Sequence, residues 1–239
     1  MMRVKKISAM ILTVIMMVSM IPAMVFAAQK DGWKQSGSYW YFYENGKKVT
    51  GWKQIDKKWY FFSDTGSMIA NESVKSGGKV YLLGDSGAMV TKKGWAKIKD
   101  SSTPDRYAWF YLKSGGVCTT GWKKIDGKWY FFYDAGYYAE YYGIGRMTDV
   151  PTIQCDDGKV YAFNGNGSLV TKTGWVSLKW HGDTFWFYMK KGGVCTLGWK
   201  KIGGKWYYFD SHGPMLSNTT RVIDGKNYKF NKSGVCTNP

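Results

Sequence analysis

The chain has 239 residues, with 13 Trp, 18 Tyr, 12 Phe and 30 Gly but only 21% charged residues, which excludes a disordered polyelectrolyte and a long-helix protein. Lys and Arg outnumber Asp and Glu by 34 to 17, for a formal net charge of +17. An aromatic share of 18% exceeds what one packed core of this size needs and points to repetition.

In chain order, residues 1–6 hold Arg3, Lys5 and Lys6, residues 7–20 are almost wholly apolar, Pro22 breaks the run, and Val25-Phe26-Ala27 offers small residues before a cleavage point. This is the layout of a signal peptide over residues 1–27. An uncleaved anchor is the competing reading, because residues 7–28 are long enough to span a bilayer, although Ser8, Thr13, Ser19 and Pro22 interrupt them. Cleavage would remove three charges, leaving residues 28–239 at +14 with no stable membrane span.

The rest is repetitive. Units at residues 51–68 (GWKQIDKKWYFFSDTGSM), 121–138 (GWKKIDGKWYFFYDAGYY) and 198–215 (GWKKIGGKWYYFDSHGPM) share a Gly-Trp opening and a second Trp seven residues later. Each is followed by a unit lacking Gly-Trp, at residues 77–91, 157–171 and 224–237. A third type has a longer first turn and ends in AWFYLKSGGVCT (108–119) or FWFYMKKGGVCT (185–196); residues 31–50, with YWYFY, are of this type. The order repeats three times, giving nine units.

Within each unit, short aromatic and β-branched runs flank Asp-Gly, Gly-Gly or Asp-x-Gly turns, so each reads as a β-hairpin. Isolated hairpins are marginal in water, so these must stack. Residues 28–239 are therefore expected to be one all-β repeat domain of about nine hairpins.

The run GWKxIDGKWYFF…G-x-M resembles the cell-wall-binding repeat family of Gram-positive secreted surface proteins, which includes choline-binding and glucan-binding types. The resemblance implies a solenoid of stacked β-hairpin repeats with about three hairpins per turn. It also implies open aromatic boxes, each built from the Gly-Trp Trp, the strand Trp and a Tyr of the neighbouring hairpin. Carried over, the pairs are Trp52 with Trp59, Trp122 with Trp129, and Trp199 with Trp206, with Trp33 and Trp40 as a fourth. Such a box attracts a quaternary ammonium through ring quadrupoles or stacks on a sugar; the sequence leaves both open. The bland alternative is that the aromatics are core, since strand alternation sends Trp59 and Phe61 one way and Tyr60 and Phe62 the other.

Nine residues after the strand Trp, the family carries a Met that helps close the box. Here that slot holds Val49, Met68, Met89, Cys118, Tyr138, Leu169, Cys195, Met215 and Cys236, of which Met68, Met89 and Met215 match; Met68 and Met215 enter the candidate site. Tyr137, Tyr138, Tyr141 and Tyr142 read equally as a sugar-stacking patch or as loop packing. Cys118, Cys195 and Cys236, sharing a slot with Met and Leu, are expected as free, buried apolar side chains.

No metal or cofactor is expected, because no Cys-x-x-Cys or His-Cys spacing occurs, and His181 and His212 lie beside turn glycines. The acidic residues fall mostly in turns, where turn chemistry accounts for them. The chain is therefore read as no enzyme but a binder of cell-wall teichoic acid, choline or glycan, with nucleic acid excluded as a partner by export. The alternative is a structural surface or adhesin protein whose aromatics are core, held to the wall by its basic charge.

Overall fold

The computed structural model describes residues 30–100 and 106–239, without the side chains of Tyr137 and Tyr138; the expected signal peptide at 1–27 lies outside them. Among the described residues the architecture is all-β and consists of nine antiparallel hairpins. Hairpin 1 pairs Gly32–Ser36 with Tyr39–Glu44, hairpin 2 Gly51–Ile55 with Lys58–Phe62, and hairpin 3 Glu72–Ser76 with Lys79–Leu83. Hairpin 4 pairs Gly94–Lys99 with Tyr107–Leu112, hairpin 5 Gly121–Ile125 with Lys128–Phe132, and hairpin 6 Thr152–Gln154 with Val160–Ala162. Hairpin 7 pairs Gly174–Trp180 with Asp183–Met189, hairpin 8 Gly198–Ile202 with Lys205–Phe209, and hairpin 9 Thr219–Ile223 with Lys226–Phe230. Hairpin 1 carries a further short strand, Lys47–Lys48, and a helix, Gly136–Tyr142, follows hairpin 5. No helix among the described residues is long and apolar enough to cross a membrane.

The tight turns explain the Asp-Gly and Gly-Gly pairs. Two-residue hairpin loops that match strand twist need positive φ at both central residues. Asp126 and Gly127 supply φ of 47° and 79°, and Gly203 and Gly204 supply 55° and 78°. Lys57 stands at 65° without the freedom of glycine, a local strain in hairpin 2.

Stacking is carried by one recurrent main-chain bond. The Met68 N–H donates to the Trp40 carbonyl (2.7 Å), Met89 to Trp59 (2.8 Å), Cys118 to Val80 (2.8 Å), and so on to Cys236 and Trp206 (2.8 Å). Each closing residue thus ties its hairpin to the one before. Its side chain lies under the next turn: a Cβ on Gly87 would overlap Met68 Sδ, and one on Gly234 would overlap Met215 Sδ. Glycine is required at these turns by close approach as well as by positive φ.

This register corrects two of the expected slots. Val49 bonds to the Phe42 carbonyl, as Ile69 does to Phe61, so Lys48 fills the slot in hairpin 1; it pairs with Tyr43 and lies beneath Gly66. In hairpin 5 the occupant is Met147, not Tyr138: Met147 bridges Phe132, bonds to the Trp109 carbonyl and lies beneath Gly167. The Gly136–Tyr142 helix lengthens that turn, so counting nine residues from Trp129 stops inside the insertion.

Burial follows the three-unit order. Phe62, Phe132 and Phe209 of hairpins 2, 5 and 8 are fully buried, and Ile55 and Ile125 are nearly so, while Ile202 at the same place in hairpin 8 stays half-buried. Between hairpins 3 and 4, Val80, Leu82, Phe110, Leu112 and Cys118 form a continuous apolar cluster, and Val160, Ala162, Phe187, Met189 and Cys195 repeat it between hairpins 6 and 7. These are the two junctions whose leading hairpin lacks a Trp pair. All four cysteines are free thiols, with Cys118, Cys195 and Cys236 buried as expected.

Candidate aromatic boxes

Cross-strand register brings each Trp pair together. In hairpin 2, Trp52 pairs with Phe61 and Gln54 with Trp59, so Trp52 and Trp59 lie diagonally on one face with centroids 6.4 Å apart and planes at 81°. Strand alternation does not bury the next residue idly: Tyr81 of hairpin 3 reaches back to Trp52 at 5.2 Å and 78°. Met89, bonded to the Trp59 carbonyl, completes a cavity of about 460 Å³ with these three rings.

The same construction recurs at six junctions among the described residues. Trp33 and Trp40 meet Tyr60; Trp122 and Trp129 meet Tyr161; Trp199 and Trp206 meet Tyr228. These are the four pairs named from sequence, each completed by the following hairpin. Met68 and Met215 also belong to boxes, but to those of the preceding hairpins, since their N–H groups bond to Trp40 and Trp186.

Two boxes escaped the seven-residue spacing. Trp95 and Trp109 lie 6.3 Å apart at 82° with Tyr130 at 5.0 Å, and Trp175 and Trp186 lie 6.4 Å apart at 78° with Tyr207 at 5.0 Å. Their longer first turns separate the two Trp in sequence while leaving the register unchanged: Lys97 opposes Trp109 as Gln54 opposes Trp59. Alignment inward from the buried strand end, Leu112 or Met189, was the signal that would have found them. Twelve of the 13 Trp therefore stand in boxes; Trp180 stacks on His181 instead, at 4.4 Å and 16°.

In every box one wall faces solvent. The strand Trp are 38% to 46% exposed, at positions 40, 59, 109, 129, 186 and 206. Large rings held half open at fixed right angles are not packed as core. Cations already approach them: the Lys97 ammonium lies 5.7 Å from the Trp109 ring and that of Lys201 5.9 Å from Trp206. On hairpin 1, Tyr41, the equivalent of Tyr60, has the Lys48 ammonium 3.8 Å above it.

The box walls differ. The slot holds Met at the boxes of Trp40, Trp59, Trp109 and Trp186, but Leu169 at that of Trp129 and Cys236 at that of Trp206. Beside Trp109 the cavity is about 550 Å³, with Arg106 and Asp149 paired at 2.8 Å on its rim. In the Trp129 box, Tyr161 donates to the Asp157 carboxylate at 2.7 Å. That bond pushes the phenol up to about 12 and, with Lys159, holds Asp157 down at about 2. Burial pushes the Cys118 and Cys195 thiols up to about 12, which keeps them protonated and inert.

Of the four tyrosines near the insertion, Tyr142 stacks on Tyr133 at 6.0 Å and 22°, whereas Tyr141 is exposed. Among the described residues no group of His, Cys, Asp and Glu could hold a metal ion.

Comparison with known proteins agrees with this architecture. Residues 49–95 and 196–236 match the choline-binding repeat, and residues 120–138 match a cell wall binding repeat. Glucosyltransferase-S of Streptococcus mutans is 27% identical over 150 residues, which cover 63% of this chain and 9% of that protein. Glucosyltransferase-S of Streptococcus downei is 27% identical over 206 residues, covering 72% and 14%. The chain therefore spans only a small part of these relatives. The crystal structure of choline binding protein F from Streptococcus pneumoniae superposes with a TM-score of 0.50 at 22% identity, over 87% of this chain and 80% of that one, a likeness of fold.

Proposed function

The chain belongs to the choline-binding and cell-wall-binding repeat family, and from that premise we propose that it is a secreted, non-catalytic protein that holds cell-wall polymer through repeated aromatic boxes. In this reading residues 1–27 are a signal peptide and residues 28–239 form the binding domain. The nine hairpins wind as a solenoid with about three per turn, a reading supported by Arg106 of hairpin 4, whose guanidinium lies 5.9 Å from the ring of Trp180 in hairpin 7.

The observation that carries the proposal is the sixfold recurrence of one open corner. The Trp planes in each pair meet at 78° to 90°. A corner of perpendicular faces suits a compact cation touching several ring quadrupoles at once, whereas a sugar stacks best on a single broad face. We therefore assign the boxes to a quaternary ammonium such as the choline of teichoic acid. Exposure of the strand Trp disfavours the purely structural alternative.

Single sites of this kind are weak. With each ring contributing about 0.5 to 2 kcal/mol against association costs, a box binds at roughly millimolar affinity. Several on one chain, facing a polymer with repeated ligands, gain on the order of 10² to 10⁴ in avidity. The test is release of wall-bound protein by choline, salt or glucan oligosaccharide, each alone. Release by choline at constant ionic strength is expected; release by salt alone would return the binding to the lysines.

A further inference from the structure

We propose that Arg106 makes the box of hairpin 4 selective for a phosphoester of choline over free choline, an inference that rests on reading the boxes as quaternary ammonium sites. The sequence sets this box apart. Three residues before the strand Trp stand Gly37, Asp56, Asp126, Asp183 and Gly203 in the other five boxes, and Arg106 here. A guanidinium beside a cation site repels a bare quaternary ammonium. It favours a ligand that carries an anion next to its cation.

Arg106 is held at the mouth of this box. Its carbonyl accepts from the Asp100 N–H at 2.9 Å, which extends the hairpin ladder to it. Its side chain lines the same cavity of about 550 Å³ as Trp95, Trp109, Tyr130 and Asp149. Both charged groups are accessible, with side-chain exposures of 39% for Arg106 and 21% for Asp149, so a ligand seated among the rings can touch them. Arg106 Nη2 lies 2.8 Å from Asp149 Oδ2, and the guanidinium carbon lies 5.9 Å from the Trp180 ring. Asp149 is fixed independently of Arg106. The buried Arg146 donates through Nη2 to the same Oδ2 at 2.9 Å and is itself tied to Asp100 at 2.8 Å.

Rings and rim together select a zwitterion. The faces of Trp95, Trp109 and Tyr130 take the ammonium, and Asp149 adds to that attraction. A guanidinium has five N–H donors in a planar fork that matches phosphate oxygens, and the ion pair with Asp149 engages Nη2 alone among the described residues. In a choline phosphoester two carbons join the ammonium to the ester oxygen, so both charged ends fit one cavity. Inorganic phosphate lacks the group that the rings hold and faces the Asp149 carboxylate. The hairpin 2 cavity shows the contrast: its basic residue is Lys79, a flexible point charge, and no carboxylate lines it.

The experiment titrates the purified chain with choline chloride and with phosphocholine at neutral pH and constant ionic strength, following the indole N–H resonances. Phosphocholine is expected to bind about threefold to tenfold tighter than choline at Trp95 and Trp109. In Arg106→Gln that ratio should fall to near one, choline affinity there should not fall, and the ratios at the other five boxes should hold. Circular dichroism checks folding. Should the variant unfold, the Arg106 side-chain N–H resonance in the wild type decides: phosphocholine should shift it and choline should not, and a resonance that ignores phosphocholine overturns the proposal. If the other boxes titrate but the ratio at Trp95 and Trp109 is one in the wild type, or survives Arg106→Gln, the proposal alone is overturned. Equal loss of both ligands in a folded Arg106→Gln also overturns it, since Arg106 would then only support the box. If no box responds to either ligand, the reading of the boxes as ammonium sites falls with it.

Discussion

The double variant Trp109→Leu, Trp186→Leu separates six sites from the four that seven-residue spacing reveals. Both rings are open, at 40% and 46% exposure, and their pair distances match those of the other boxes. Leucine keeps apolar contact with the strand but has no ring quadrupole. Losing one of three rings removes about 0.5 to 2 kcal/mol, a loss of about 2-fold to 30-fold per site, which moves a millimolar box beyond ready saturation. The cost to folding is smaller: exchanging indole for isobutyl at a half-exposed position forfeits on the order of 50 Å² of burial, about 1 kcal/mol each. The assay is a choline titration followed on the indole N–H resonances. In the wild type, twelve of the 13 Trp indoles should shift and Trp180 should not. In the variant, Trp95 and Trp175 should stop responding while the remaining eight box indoles titrate unchanged. If Trp95 and Trp175 are silent in the wild type, or respond equally in both proteins, the assignment of boxes from register is refuted.

Other consequences are as direct. Lys57→Gly should raise the thermal midpoint, by relief of about 1 kcal/mol of left-handed strain, without altering choline binding. The Tyr161 phenol, raised above its ordinary value, adds stability that is complete below about pH 10 and lost as pH rises through about 12; Asp157→Asn should return its absorbance titration toward 10. The depressed Asp157 carboxyl contributes above pH 3.8, and that contribution fades as pH falls through about 2. Thiol reagents at pH 8 should leave Cys118 and Cys195 unmodified in the folded chain and label them at once in denaturant; rapid native labelling would contradict their burial. Gly87→Ala should destabilise by 1 kcal/mol or more and loosen the Trp40 box first, because the new methyl displaces Met68.

Local chemistry determined much of this protein. Asp126-Gly127 and Gly203-Gly204 dictate their turns because few residue types accept two consecutive positive φ angles, and the aromatic runs beside them have no stable fate but paired strands. Nine hairpins, their three-unit order and the Trp pairs of the short-turned units were thus legible, as was the apolar role of Cys118 beside Met and Leu at equivalent positions. Spacing carried no further than constant turn length. The turn after hairpin 1 is one residue shorter than the norm and that after hairpin 5 is lengthened by its helix, so Lys48 and Met147 replaced Val49 and Tyr138 in the slot, and long first turns hid Trp109 and Trp186. Only tertiary structure decided which hairpin completes which box. Tyr81 belongs to Trp52 and Met68 to Trp40 because the stacking bond runs backward from each closing residue to the preceding strand, a non-local pairing that no single repeat encodes. The same stacking sets Asn71 and Ser73 of hairpin 3 beside Arg146 of the insertion after hairpin 5, joining residues from two units whose separate sequences give no sign of meeting.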